Sequence, residues 1–214
     1  MSIIKHNKVN KGINMRKLIV LSFISLDGIM QAPGGPQEDS SGNFNYGGWS
    51  ATYFDDFIGK IMSEQLNKDF DLVLGRKTYE IFASYWPFHQ EEGPSINKAI
   101  KYVATRNDHN YTWSNTVVLK GDIVQEIIKI KESNGPDLQV HGSGNLIQTL
   151  LKNNLVDELW LKIFPIVLGT GKRLFTETAI ASSFTLNLCD SSPSGVIIAN
   201  YKRSGGIKTG DLTT

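Results

Sequence analysis

Along the chain, short and nearly continuous apolar runs alternate with stretches whose apolar residues recur every three to four positions. KLIVLSFIS, residues 17–25, is apolar almost throughout and rich in β-branched residues, which predicts a strand covered on both faces. YFDDFIGKIMSEQL then sets Phe54, Phe57, Ile58, Ile61, Met62 and Leu66 on one helical stripe. DLVLG reads as a short buried strand and RKTYEIFASYW as a helix ended by Pro87. The alternation continues with strands IKYVATR and TVVL, helix DIVQEIIKIKE and a break at Asn134-Gly135-Pro136. Strand LQVH, helix NLIQTLLKN and strand ELWLKIF follow. Alternation of this kind predicts an α/β fold with a mostly parallel central sheet. VLGTGKRLF, SFTLNLCD and SGVIIANYKR are also strand-like, with no helix between the last two. They predict antiparallel C-terminal edge strands, with a hairpin around Ser191-Ser192-Pro193-Ser194-Gly195.

The stretch 31–50, QAPGGPQEDSSGNFNYGGWS, has neither period and is rich in Gly, Pro and Ser. Loops this long inside a domain tend to bind ligands or close over them. Its aromatics Phe44, Tyr46 and Trp49 either cover a flat ring or pin the loop to the core. No composition shift divides the chain, so 15–203 reads as one domain, 1–14 as a disordered leader and 204–214 as a loose tail. At 214 residues and 40% hydrophobic, it can bury a sizeable core. Lys+Arg 22 against Asp+Glu 21, without a basic run, points away from nucleic acid and anionic membrane surfaces and toward a small-molecule partner. No apolar stretch approaches transmembrane length and residues 1–14 lack an apolar signal core, so a cytoplasmic location is expected. The single Cys189 excludes an internal disulfide and reads as a small buried hydrophobe. No His, Cys and acid cluster suggests a metal site, and none is expected.

Three strand ends carry ligand-type residues, and α/β sheets bind ligands at the carboxyl ends of their strands. In LGRKTYE, Gly75 leaves a strand and Arg76, Lys77 and Thr78 open a helix, a combination suited to phosphate. ATRN offers Thr105 and Arg106. HGSGN sets Gly142, Ser143 and Gly144 before the helix that Asn145 and Leu146 begin. Gly169-Thr170-Gly171-Lys172 is no P-loop, because Arg173 stands where a Ser or Thr should bind magnesium. HGSGN is no G-x-G-x-x-G fingerprint either, because Ile147 occupies the third glycine position. Candidates for proton handling are Asp27 in SLDG and the Asp55-Asp56 pair, whose alternative roles are turn former and solvated helix face. His141 is a possible ligand, although lone histidines usually have ordinary structural roles. No nucleophile elbow G-x-S-x-G occurs.

In this order, SLDG, GGW, LGRKTYE, HGSGNLIQTLLKNNLVDELWL and PIVLGTGKRLF resemble the dihydrofolate reductase-like family. The likeness is specifically to the C-terminal reductase domain of bacterial riboflavin-biosynthesis proteins and its stand-alone relatives, and it covers Met15 to Arg203. It implies a three-layer fold, NADPH as hydride donor and a homodimer. It sets Gly75, Arg76, Lys77 and Thr78 against phosphates, Thr105 and Arg106 by the adenosine 2′-phosphate, and Gly142, Ser143, Gly144, Asn145 and Leu146 around the pyrophosphate. Ser25, Asp27, Trp49, Asp56 and Pro165 would border the nicotinamide and substrate. Two departures leave the substrate open between pterin-like and aminouracil ribose-like compounds. His141 stands where riboflavin-pathway reductases carry an acid, and Asp55 and Asp56 lie farther from Gly75 than the acid of dihydrofolate reductases lies from its glycine–arginine motif. The expected activity is NADPH-dependent reduction of a small heterocyclic or carbonyl substrate. The alternative is a non-catalytic nucleotide-binding protein that retains the pocket.

Overall fold

The computed structural model describes residues 15–106, 110–177 and 179–212; the expected leader 1–14 lies outside the described residues. From the N-terminus the elements are β1 (Leu18–Ser25), α1 (Asp56–Leu66), β2 (Asp71–Gly75), α2 (Arg76–Tyr85), α3 (Pro94–Lys98), β3 (Lys101–Ala104) and β4 (Thr116–Leu119). They continue with α4 (Ile123–Glu132), β5 (Leu138–Val140), α5 (Gly144–Lys152), β6 (Glu158–Phe164), β7 (Ser183–Ser191) and β8 (Ile197–Gly205). The eight strands among the described residues form one sheet, ordered β4-β3-β2-β5-β1-β6-β8-β7. β1 to β6 are mutually parallel, while β6–β8 and β8–β7 are antiparallel.

This order explains which face each helix covers. From β1 the chain moves one way across the sheet to β2, β3 and β4, then back to β5 and on to β6. Parallel crossovers are right-handed, so opposite travel puts the connecting helices on opposite faces. Accordingly Ile127 and Ile130 of α4 and Ile147, Leu150 and Leu151 of α5 pack with Leu18, Val20 and Leu138 on one face. Leu66 of α1, Tyr79 of α2 and Ile96 of α3 pack with Leu72, Leu74 and Val103 on the other. The result is three layers. The reversal falls at β5, and a crevice forms where neighbouring strands send their connections to opposite faces.

β5 is short. It pairs with β1 only through Leu18↔Leu138, Ile19↔Gln139 and Val20↔Val140, and with β2 only through Asp71↔Leu138 and Leu72↔Gln139. Beyond Val140, β1 continues to Ser25 with a partner on its β6 side alone.

Three expectations need correction. VLGTGKRLF forms no strand: Gly169 (φ +74) and Gly171 (φ +121) turn the backbone, and the amides of Leu168 and Gly169 bond the Asp27 carboxylate instead of a neighbouring strand. Its contact with the rest of the structure includes an isolated antiparallel bridge between Ile29 and Arg173. The five-residue α3, opened by Pro94, falls in a segment where the sequence suggests no element. Cys189 is exposed, because it lies on β7 at the open edge of the sheet.

Candidate active site

A cavity of about 300 Å³ opens at the carboxyl end of β5. One wall is β1 beyond the end of β5, at Leu21, Ser22 and Phe23; another is α1, through Met62, Gln65 and Leu66; Phe82 of α2 and Trp86 after it close a third side. At the mouth are Lys77 and Thr78 of α2, the segment His141 to Gly144, the start of the 31–50 loop from Gln31 to Gly34 with Glu38 and Asp39, and Lys172.

Local sequence accounts for the mouth. The amide of Gly75 donates to the carbonyl of Gly142 (3.1 Å), drawing the ends of β2 and β5 together. A Cβ on Gly75 would run into Ser143, and one on Gly142 would lie 2.6 Å from Thr78 Oγ1. These two glycines therefore let the chain approach itself. Gly144 differs: a Cβ there would meet only Met30 Sδ at 3.5 Å, an ordinary contact.

The starts of the four longer helices differ in a way that bears on function. Asp55 caps α1 by accepting from the Ile58 amide, and Asp122 caps α4 by accepting from Val124 and Gln125. α2 and α5, which begin at the cavity mouth, have Gly75 and Ser143 at their N-cap positions and no capping side-chain bond. Their first amides and the positive ends of their dipoles are available to an anion. A phosphate-bearing cofactor fits this arrangement.

The mouth is also charged. Asp39 bonds Lys77 and, at 2.6 Å, Lys172. Burial works against its ionisation, but the bonds from Lys172, Lys77 and Ser41 prevail and hold its carboxyl far below the usual range. Glu38 accepts from the amides of Gly34 (2.7 Å) and Gly35 (3.3 Å), yet burial pushes its carboxyl up.

The floor of the cavity is polar. Lys162, only 2% exposed in the middle of β6, donates to Gln65 Oε1 at 2.7 Å, and burial brings its ammonium down to about 8. Gln139 Nε2 donates to the Gln65 carbonyl (3.2 Å), and Gln139 Oε1 lies 3.0 Å from His141 Nε2. An amide oxygen only accepts, so Nε2 of His141 bears the proton. Burial, then the nearby Lys162 charge, depress His141 to about 3, which keeps its imidazole neutral near pH 7.

Among the residues expected from the sequence, Lys77, Thr78, Gly142, Ser143 and Gly144 line the cavity. Gly75 ends β2 beside them, and Asn145 and Leu146 form the first turn of α5. Arg76 is paired with Glu80 (2.7 Å), and Thr105 accepts from the Tyr111 hydroxyl (3.0 Å) at the end of β3, next to an exposed Arg106.

Ser25, Asp27, Trp49, Asp56 and Pro165 are not part of the cavity wall. Burial pushes the Asp27 carboxyl up, but bonds from Ser25 Oγ (2.6 Å) and the Leu168 and Gly169 amides outweigh it, holding it at about 2. Asp27 thus pins the turn after β1 to the loop after β6. Asp56 is exposed in the first turn of α1. Trp49 is buried, donates to the Gln31 carbonyl (2.7 Å) and meets Phe164 edge-on, an anchor for the 31–50 loop. Pro165 is exposed just after β6. Sequence reasoning missed Lys162 and Gln65. The one signal for Lys162 was a lysine interrupting the apolar run ELWLKIF.

Comparison with known proteins agrees with this fold. Among curated proteins, the uncharacterized protein YyaP of Bacillus subtilis (strain 168) is 25% identical over 205 residues, spanning 92% of this chain and 100% of that protein. The structure of a putative riboflavin biosynthesis protein from Shewanella sp. PV-4 matches with a TM-score of 0.62 at 24% identity, covering 88% of this chain and 99% of the other. A dihydrofolate reductase from Enterococcus faecalis, solved with NADP(H) and RAB-propyl, matches with a TM-score of 0.54 at 14% identity, covering 87% of this chain and 96% of the other. The family described as RibD C-terminal domain matches residues 16–198, nearly the whole described fold, and the chain belongs to that family.

Proposed function

We propose that the protein is an NADPH-dependent reductase of a small heterocyclic or carbonyl substrate. The observation that carries this reading is the pair of uncapped helix starts, α2 and α5, side by side at the mouth of a largely apolar cavity. The ends of β3, β2, β5 and β1 are consecutive in the sheet. At ~4.8 Å per strand they form a shelf roughly 14 Å wide, suited to an extended dinucleotide. The amides of Gly144, Asn145 and Leu146 would hold the pyrophosphate, Lys77 and Thr78 a neighbouring phosphate oxygen, and Arg76, Thr105 and Arg106 the adenosine 2′-phosphate. The bound cofactor supplies a hydride at its nicotinamide.

The chain's own residues do the rest. Phe23, Met62, Phe82 and Trp86 exclude water from the reacting space. The free edge of β1 at Leu21–Phe23 offers backbone groups to a planar amide. Near the substrate a proton can be held on the Lys162 ammonium.

Titrating the protein with NADPH, followed by nucleotide fluorescence, tests the reading. Saturable binding at least about tenfold tighter than for NADH is expected, since one charge-assisted contact contributes roughly 1.5–3 kcal/mol. No binding at millimolar cofactor would end it. The second reading, a nucleotide-binding protein without turnover, draws on the positions of Asp27 and Asp56 away from the cavity. It prevails when NADPH binds and no pterin, aminouracil or carbonyl compound oxidises it.

A further inference from the structure

Among the described residues three lysines are deeply buried, and two of them have at least two polar partners each. Lys101 donates to the carbonyls of Asn97 (2.6 Å) and Ser114 (3.2 Å) and lies over the Trp113 ring. Lys131 donates to the Leu155 carbonyl (2.9 Å) and pairs with Asp157. Lys162 is different. Among the described residues, Gln65 Oε1 is the one acceptor within hydrogen-bond distance of its ammonium, and it has no carboxylate partner.

Gln65 fixes the chemistry of this corner. Its oxygen faces Lys162, because turning the amide over would set an NH₂ group against an ammonium. That leaves Gln65 Nε2 as the donor, and this atom is buried with no partner. An unpaired buried donor is costly to a fold, and a ligand oxygen placed in the cavity would satisfy it. Lys162, with three N–H groups and one acceptor, has donors to spare as well. Both residues line the cavity, next to Phe23, Met62, Leu66 and Phe82.

We propose that Lys162 and Gln65 form the substrate-recognition end of the cavity, holding the acidic or carbonyl oxygen of a small flat ring and rejecting rings that present a protonated nitrogen. The proposal deepens the reductase reading, since it concerns the same cavity. The surrounding charges favour it. The cavity-lining carboxylates are Glu38, bonded by the amides of its own loop, and Asp39, bonded by Lys77 and Lys172. No acid of α1 reaches the wall; that helix presents Met62, Gln65 and Leu66. At this end of the cavity a cationic ring would meet an ammonium and an amide donor. An oxygen anion would find two donors, a full positive charge and an apolar slot for its ring.

Matched probes of one shape and opposite charge test this. The binding of 2-naphthoate and of 2-naphthamidine is measured by calorimetry on the whole protein at pH 7, alongside NADPH binding. The naphthoate should bind at least tenfold more tightly than the amidine. Lys162→Met should abolish the preference and Gln65→Leu should reduce naphthoate affinity several-fold, with NADPH affinity unchanged in both. A preference that survives in Lys162→Met overturns the proposal, as does equal binding of the probes or no naphthoate binding up to its solubility limit. If Lys162→Met does not fold, Gln65→Leu decides, and unchanged naphthoate affinity there counts against it. Loss of NADPH binding in the unmodified protein would sink the reductase reading instead, and the naphthoate comparison would still judge the recognition site.

Discussion

A buried ammonium such as that of Lys162 costs stability for as long as it is charged. Its pKa is brought down to about 8 from 10.5. Between those values the unfolded chain binds the proton and the folded chain does not, so stability rises with pH across that window. Below pH 8 both states are protonated and the whole penalty applies, about 3 kcal/mol, because each tenfold loss of proton affinity corresponds to roughly 1.4 kcal/mol. Lys162→Met should therefore raise the melting temperature at pH 7 by roughly 5 °C or more. The gain should shrink as pH climbs from 8 toward 10.5. Scanning calorimetry at several pH values checks this, and a lowered melting temperature at pH 7 would mean that the bond to Gln65 outweighs the cost of burial. Lys162 was hard to read because a lysine in ELWLKIF looks like the solvated face of a half-buried strand. Its burial comes from α1, about a hundred residues earlier in the chain, laid over that face. Gln65 was hidden for the same reason. The glycines were legible as close-approach points, but what approaches Gly75 and Gly142 is the chain itself.

Among the elements, the four longer helices divide by how they begin. α1 and α4 are closed by aspartates; α2 and α5 open toward the cavity. Ser143→Asp would cap α5 from within and add a negative charge where an anion is expected. It should leave stability unchanged or raise it by up to about 1 kcal/mol while weakening NADPH binding at least tenfold. Denaturant melts and a cofactor titration on the same variant separate the two effects, and undiminished NADPH affinity would remove the α5 start from the phosphate site. The positions of these helices were readable, since Gly75 and Gly144 punctuate the change from strand to helix. The stretch VLGTGKRLF misled because its apolar content suits a strand, whereas its backbone is committed to Asp27. That bond joins residues more than a hundred positions apart, beyond the reach of any local pattern.

For the whole molecule, the fold class and the antiparallel end were legible from the alternation of periods, but the strand order was not. Nothing local says that β5 enters between β1 and β2. The open edge makes its own demand. β7 is nine residues long and mostly exposed, with Leu186 51% and Leu188 41% accessible beside Cys189. Long apolar edges are normally covered, and we propose that a second copy of the chain covers this one. Light scattering at micromolar concentration should give twice 23.8 kDa, and Leu188→Lys should return the single-chain mass. A mass of 23.8 kDa for the unmodified protein would reject the pairing.

The shortness of β5 has a mechanical consequence. The sheet amounts to two stiff plates, β4-β3-β2 and β1-β6-β8-β7, welded through a strip that offers two residue pairs to one plate and three to the other. Bending should concentrate along that weld, and the cavity sits at its end, where a small rotation changes the gap most. Burial alone would make β5 exchange its amide hydrogens as slowly as β1, since both are largely buried. A compliant weld makes it faster, because local opening breaks few ladder bonds. Exchange mass spectrometry should find the amides of Leu138–Val140 less protected than those of Leu18–Val20, and a ligand wedged across both plates should slow them selectively; equal protection in the free protein would show that the plates move as one.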